Sequence, residues 1–523
     1  MTMVEHGKLT RPQLWMLGVS CLAVVLVIAS MAALYTALPD IAIDTDATQS
    51  QMTWLVDGYT LALACLVLPA GSLGDRYGRR AVLVVGLAIF TVGSGLPLLL
   101  GTPNWIIAAR VVAGVGAAFV MPSTLSLLTS GLPAGQRGRA VGLWAGVAGA
   151  GAMVGVLGSG LLLLWWSWES IFIGLTVVGA ALLACAVTLP EYRAEQPPRM
   201  DPVGSVAVAV GIGLGVLAIL EGPIRGWTEP LVLGAGAVAV LALIGFTLWE
   251  LRSTHPLLDV RLFKDRGFAS GSVSLTIQFM VTFGIFLIII QYLQLVLDYS
   301  PLRASVATAP MMVPLMVFAL IAPWIAGKVG LKAITVTGLL AMAAGFYFLR
   351  ELHVGSGYSD LLWPLLVMSS GLGLCASPAT VAIVNGTPAD KQGVAAAVND
   401  ATREIGAALG IAVAGSLLAA GYARGMDPVL PQLPEAARGP AGDSLAGALE
   451  VGRQAGPLAD PLVDAAKTAF LDGAEQASLV LAMITGAAAV LLLLWAPGRR
   501  RVAADTGAPA LVETASDLLS GLR

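Results

Sequence analysis

Apolar runs of about 20 residues recur along this chain, and a helix of that length, rising 1.5 Å per residue, crosses a hydrocarbon core ~30 Å thick. Charged residues make up 12% of the 523 residues and apolar ones 57%. Soluble domains carry roughly 25% charge, so this chain cannot cover itself with polar surface, and lipid is the solvent for most of it. Bounded by charge, Pro and Gly, the runs predict spans near residues 14–38, 52–73, 80–100, 104–128, 139–163 and 168–190, then 203–222 and 230–250. Six more follow near 270–297, 303–327, 331–350, 360–386, 393–420 and 476–496. The expected fold class is an all-α polytopic membrane protein with fourteen spans. The first run is too long for a signal-peptide core and is read as a span.

The net charge of -3 says less than where the charges lie. With the N-terminus on the cytoplasmic side, twenty Lys and Arg fall there, among them Arg76, Arg79, Arg80, Arg137, Arg139, Lys264, Arg266, Lys328, Lys332 and the run Arg499 to Arg501. Seven fall opposite: Arg225, Arg303, Arg350, Arg424, Arg438, Arg453 and Lys467. Four of these belong to one long loop, which the positive-inside bias discounts. Both termini are therefore expected in the cytoplasm. Cys21, Cys65, Cys185 and Cys375 all lie in apolar runs without metal-like spacing, so no disulfide framework, metal or cofactor is expected. Nucleic acid is not an expected partner.

The chain also resembles itself. GDRYGRR (Gly74 to Arg80) is answered by AGKVGLK (Ala326 to Lys332), LPAGQRGRA (Leu132 to Ala140) by TPADKQGVA (Thr387 to Ala395), and GVGAAFVMPST (Gly114 to Thr124) by GLGLCASPAT (Gly371 to Thr380). A duplicated six-helix bundle is the architecture of alternating-access transporters, with the site near the midplane between the repeats. The expected organisation is an N-terminal bundle at 1–200, two inserted spans at 201–252, a C-terminal bundle at 253–499 and a cytoplasmic tail at 500–523. Residues 421–475, rich in Ala, Pro and Gly, read as an external loop with a short helix near 461–472.

GSLGDRYGRRAVL (Gly71 to Leu83), Arg110 with Gly114 and Gly116, WLVDGY (Trp54 to Tyr59) and NDATREIGAALG (Asn399 to Gly410) together resemble the major facilitator superfamily, in particular its fourteen-span drug:proton antiporter branch. The resemblance covers nearly the whole chain. It implies two six-helix bundles plus two inserted spans, export of small molecules, a fourth-span motif at Arg110 tied to proton coupling, and a loop at Gly71, Asp75, Arg76, Gly78, Arg79 and Arg80 matching the superfamily's motif between spans two and three. Two positions depart from the branch: Ser30 stands where a first-span Asp is usual, and Val156 follows Gly155 where a Gly-Pro pair is usual.

Individual residues suggest roles. Asp75 can face the positive end of the helix after the glycine turn while Arg76, Arg79 and Arg80 stay at headgroup level, giving a cytoplasmic latch between the halves; a topology signal alone would need just the arginines. Arg110 lies about 9 Å inside the fourth span, with Asp57 of the second span as candidate partner or cation-attracting group; snorkelling to the interface is the alternative for both. In the thirteenth span Asp400 is reached after ~10 Å and Glu404 after ~16 Å, about 40° apart on one face, with Arg403 about 60° from Asp400. Asp400 and Arg403 can then neutralise each other, leaving Glu404 to carry a proton, since low dielectric disfavours a charged carboxylate. The bland reading is a packing pair beside a Gly406/Gly410 contact. Glu221 is a loop-entry residue or a coupling site. Gln278, Phe279, Phe283 and Phe286 in the ninth span, and Met312 and Met316 in the tenth, form surfaces that could line a substrate path or face core and lipid.

The expectation is proton-coupled efflux of small amphipathic, cationic drugs by a monomer in the cell membrane, its partners being the substrate, protons and the bilayer. The competing classes are an exporter or facilitator of a lipid-like or metabolite substrate without proton antiport, and a non-transporting scaffold or sensor. His6, His255 and His353 lie outside the spans and no P-loop occurs, so a membrane enzyme or an ATP-driven pump is not expected.

Overall fold

The computed structural model describes residues 9–192, 200–254, 256–387, 392–456 and 460–497, without the side chains at 75, 134–135, 137–139, 141–142, 145–146, 148–149, 323, 377, 384–385 and 392–397. The Asp75, Arg137 and Arg139 side chains, His6, His255, the Arg499 to Arg501 run and the tail at 500–523 lie outside the described residues. Among the described residues the regular structure is helical, without a strand. That is what lipid demands, because a helix satisfies its own backbone polar groups.

The first group is α1 (Arg11–Thr45), α2 (Gln49–Tyr77), α3 (Arg79–Gly95), α4 (Pro103–Gly131), α5 (Ala134–Leu162) and α6 (Glu169–Val187), followed by α7 (Pro202–Arg225) and α8 (Pro230–Arg252). Then come α9 (Arg266–Gln291), α10 (Pro301–Thr308) running through a short 3₁₀ turn into α11 (Met312–Val329), α12 (Leu331–Leu349), α13 (Tyr358–Asn385) and α14 (Gln392–Met426). After α15 (Glu435–Asp443) and α16 (Leu445–Ala455), α17 (Asp460–Trp495) closes the order. Thirteen described segments are long and apolar enough to cross a membrane, α10 and α11 counting as one. Helix α5, where the sequence places a further span, contributes the shorter described apolar stretch Ala150–Leu162.

Prolines begin α4, α7, α8 and α10, where a missing N–H costs nothing. Pro39, Pro69, Pro122, Pro364 and Pro378 sit inside helices, so α1 runs on to Thr45 where the sequence places an end near 38. Packed membrane helices tolerate such breaks because neighbours re-satisfy the freed groups.

Helices α1 to α6 pack on one another, as do α9 to α14 with α17. The repeat is visible at the short turns: Gly78, between α2 and α3, and Gly330, between α11 and α12, both have positive φ (111° and 91°), which a side chain would strain. Two main seams join the groups, α2 against α14 and α5 against α10, and α1 also touches α9 and α10. Among the described residues three hydrogen bonds cross between them at the end away from the N-terminus: Tyr35 Oη to Phe283 O at 3.4 Å, Gln294 Nε2 to Thr36 O at 2.9 Å and Ser305 Oγ to Val156 O at 2.9 Å. Helix α7 lies against both α2 and α14. Its Val208, Ile212, Val216 and Leu220 bury with Ala64 of α2 and Ala408 and Ala412 of α14.

The expected external loop is largely helical. Residues 461–472 are not a short separate helix but the first third of the 36-residue α17, and α15 and α16 fill the interval after α14. Its alanines favour helix, and Ser444 caps α16 by accepting the Gly447 N–H. Leu445, Ala446 and Ala448 are buried against the body, and Tyr422 Oη donates to Ala441 O at 2.7 Å.

Candidate functional site

Charge inside the bundle concentrates on the α2/α14 seam and on α4 behind it. On α14, Asp400 and Glu404 are 3% and 4% exposed, and Glu404 Oε2 has no hydrogen-bond partner. The expected Asp400–Arg403 ion pair is absent among the described residues. Instead the Arg403 guanidinium lies 4.6 Å from the centre of the Phe279 ring on α9, and Phe279 stacks on Phe283 with centroids 6.0 Å apart. The offset around the helix turns Arg403 toward α9, where a ring face offers a cation–π contact.

Asp57 of α2 is fully buried and neither carboxylate oxygen is partnered. It does not pair with Arg110. That guanidinium, 2% exposed, donates from Nε to Leu55 O at 3.1 Å and from Nη1 to Ser30 Oγ at 3.0 Å, and lies 4.2 Å from the centre of the Tyr59 ring; Nη2 has no partner. Snorkelling fails too, because both groups are sealed from the surface. Thr53 of α2 packs on Gly415 of α14. Counting back along both antiparallel helices from that contact sets Asp57 about 10 Å further from the N-terminal end than Glu404.

The Gly71 to Arg80 loop, expected to latch the two halves, makes its described contacts within the first group. Arg79 N–H donates to Tyr192 O at 3.1 Å and its Nη1 to Ser126 O at 3.2 Å; Arg80 Nη1 donates to Leu189 O at 3.1 Å and its Nε lies 3.5 Å from Glu191 Oε2. Glu191 also accepts the Arg80 and Ala81 backbone N–H groups, a carboxylate at the positive end of α3. Arg76 is exposed beside Tyr77, and Gly71 packs on Pro122 of α4. No described contact of Arg76 or Arg80 reaches the second group.

Gln278 is buried, donates from Nε2 to Ser274 Oγ at 2.9 Å and leaves Oε1 unpartnered. Phe286 meets Tyr35 at 6.1 Å between centroids, so α9 and α1 touch there through rings. Met312 is half-buried, whereas Met316 is 63% exposed in a stripe with Val313, Leu320 and Trp324. Glu221 is tied to Arg225 of its own helix at 2.5 Å, which favours loop entry over coupling. A cavity of 1040 Å³ opens at the other end of the second group, lined by Lys264, Arg266, Lys332 and, deepest along α9, Ser274. It contains neither Asp57, Arg110 nor Glu404.

The sequence reading missed Tyr59, whose ring receives Arg110, and Glu191, which caps α3. An aromatic two residues from Asp57 in WLVDGY and an acidic residue just past the sixth span were the available signals.

Residues 20–411 match the Major Facilitator Superfamily. The chain belongs to that family. This facilitator is 32% identical over 479 residues, 91% of its own length and 95% of the relative's, to the multidrug efflux pump LfrA of Mycolicibacterium smegmatis. It is 34% identical over 384 residues, 73% of its length and 71% of the relative's, to the tetracenomycin C resistance and export protein of Streptomyces glaucescens. The crystal structure of a bacterial homologue of the human lysosomal transporter Spinster, inward-facing and unoccupied, superposes with a TM-score of 0.66 at 15% identity, covering 94% of this chain and 98% of that one. Its fold is thus that of transporters rather than enzymes, and the facilitator is a multi-span membrane protein.

Proposed function

We propose that this facilitator exports amphipathic, cationic drugs across the cell membrane in exchange for protons, by alternating access, with both termini in the cytoplasm. The observation that carries this reading is the pair of sealed, incompletely partnered carboxylates on the seam, Asp57 on α2 and Glu404 on α14. An ionised carboxylate there is costly, so each is suited to hold a proton or a cationic group in turn. The drug efflux and resistance functions named for relatives support a drug as the cargo. Arg403 lies against Phe279, while Asp400 adds a second acidic group below Glu404. Arg110 is a fixed positive charge behind the site, and the Gly71 to Arg80 loop, with Asp75, is assigned to gating.

With the N-terminus in the cytoplasm, the three described hydrogen bonds between the halves lie on the outer side and hold the exit closed. Opening it must break them. The driving force is adequate, because each net charge moved down a 100 mV potential supplies ~2.3 kcal/mol.

In sealed, energised vesicles, adding cationic dyes or quaternary ammonium compounds should evoke proton movement with the native protein, and Glu404→Gln should reduce it at least about tenfold, as loss of an essential acid–base group does. Drug movement by the native protein without protons would leave a facilitator without antiport. A Glu404→Gln protein that couples as the native one does would move the carrier to Asp57 or Asp400.

A further inference from the structure

The inserted pair α7/α8 carries a second, separate acidic site. Asp201, the N-cap of α7, is 8% exposed, and Glu250, two residues before the end of α8, is 1% exposed. Asp201 is rich in donors: Gly204 N–H reaches Oδ1 at 2.8 Å, and Trp249 Nε1–H lies 2.9 Å from both oxygens. The α7 dipole adds to them. Glu250 is held through backbone N–H groups of the following segment, Leu258 N–H at 3.3 Å from Oε2 and Leu257 N–H beside it; its Oε1 is buried and unpartnered. That orphan oxygen is aimed at Asp201. A methyl group built on Gly204 would collide with both Glu250 Oε1 and Asp201 Oδ2, so the two oxygens flank a space smaller than one side chain.

Among the described residues the neighbouring charged and titratable groups are few. Tyr77 at the end of α2 touches Met200, Arg252 ends α8, and Asp259 and Arg261 lie on the segment leading to α9. Asp259 accepts the Arg261 backbone N–H, and Arg261 Nη2 donates to Leu251 O at 2.7 Å. No ion pair joins Asp201 or Glu250 to a cation among the described residues. Two carboxylates this close, with no cation beside them among the described residues, cannot both ionise.

We propose that Asp201 and Glu250 hold one proton between them and that this proton fastens the α8-to-α9 segment onto the insert. The Glu250 Oε1–H donates to Asp201 Oδ2, which keeps the negative charge because three N–H contacts and a helix N-terminus favour it. The proton comes from water on the side where α7 begins and returns to it. With the proton in place Glu250 Oε2 holds the Leu258 N–H, and Leu257 and Leu258 pack on the cluster that α7 shares with α2 and α14. Without it two like charges meet in a buried space, and the segment that enters α9 loses its anchor. The site binds a proton at the edge of the insert, remote from Glu404, and does not depend on drug–proton exchange.

Hydrogen exchange of the Leu258 amide tests this in the full chain in lipid nanodiscs, corrected for intrinsic exchange. Between about pH 6 and about pH 8.5 the native protein should lose protection at least about tenfold, the equivalent of one pH unit of linkage. Glu250→Gln should stay protected throughout, because its amide carbonyl accepts the Leu258 N–H and its NH₂ donates permanently to Asp201. Native protection that is flat over this range overturns the proposal. So does protection restored at high pH by sodium or potassium at constant ionic strength in the native protein but not in Glu250→Gln, which would place a metal cation in the gap. Should Glu250→Gln fail to assemble, Asp201→Asn serves: its amide donates to an ionised Glu250, so its Leu258 protection should be equally indifferent to pH, and a native-like pH response would count against the shared proton.

Discussion

Ser30→Asp should raise the stability of the purified protein by on the order of 2 to 3 kcal/mol, read as a rise of several degrees in its unfolding midpoint. Arg110 is a fully charged group held by neutral partners: a backbone carbonyl, the Ser30 hydroxyl at 3.0 Å and the Tyr59 ring, with Nη2 left over. Removing one partner from a buried ion pair typically costs about 3 to 5 kcal/mol, because a charge is left without compensation. This protein already occupies that half-paired state, so a carboxylate at position 30 should recover most of the difference. Ser30→Ala should move the midpoint the other way, by roughly 1 to 3 kcal/mol, since a hydrogen bond to a charged group is lost. An unchanged or lowered midpoint in Ser30→Asp would show that Arg110 is already compensated where it lies.

Gly410→Leu should prevent the chain from folding. A Cβ on Gly410 would overlap the Met280 carbonyl of α9, and one on Gly406 the Thr276 carbonyl. These walls are main chain and cannot swing aside like a side-chain tip. Overpacking a core commonly costs about 1 to 3 kcal/mol when side chains can shift; here α9 and α14 must separate, and α14 is also packed on α2, α7 and α17. The expected result is little monodisperse protein after extraction. Gly234→Leu on α8, where a Cβ meets nothing within 4 Å, should be recovered at native yield. A Gly410→Leu protein that folds and transports would mean that α9 and α14 do not approach so closely.

The spans were legible because apolar length against bilayer thickness is a coarse, robust signal, and because repeated motifs such as GDRYGRR and AGKVGLK fall at equivalent turns. The helical segment between α14 and α17 was not. Its Pro and Gly content reads as loop, whereas its alanines, the Ser444 cap and burial of Leu445 and Ala446 against the body decide for helix. Around Glu404 the sequence located the ionisable groups but not their partners. A helical wheel sets Arg403 60° from Asp400, yet it is blind to Phe279 on another helix that competes for the guanidinium. Ser30 read as the mere loss of an aspartate; in the fold it is one of Arg110's two hydrogen-bond acceptors.

The two seams between the halves are mechanically unequal. Helix α7 lies across α2 and α14 like a splint, sharing one apolar cluster with both, whereas the α5/α10 seam has no such splint among the described residues. Parting α2 from α14 must peel α7 off one of them and expose that cluster, while parting α5 from α10 gives up a smaller direct contact. A rocking motion of the halves is therefore cheapest as a one-sided hinge, with its axis along the splinted edge and its free travel on the opposite flank of the molecule.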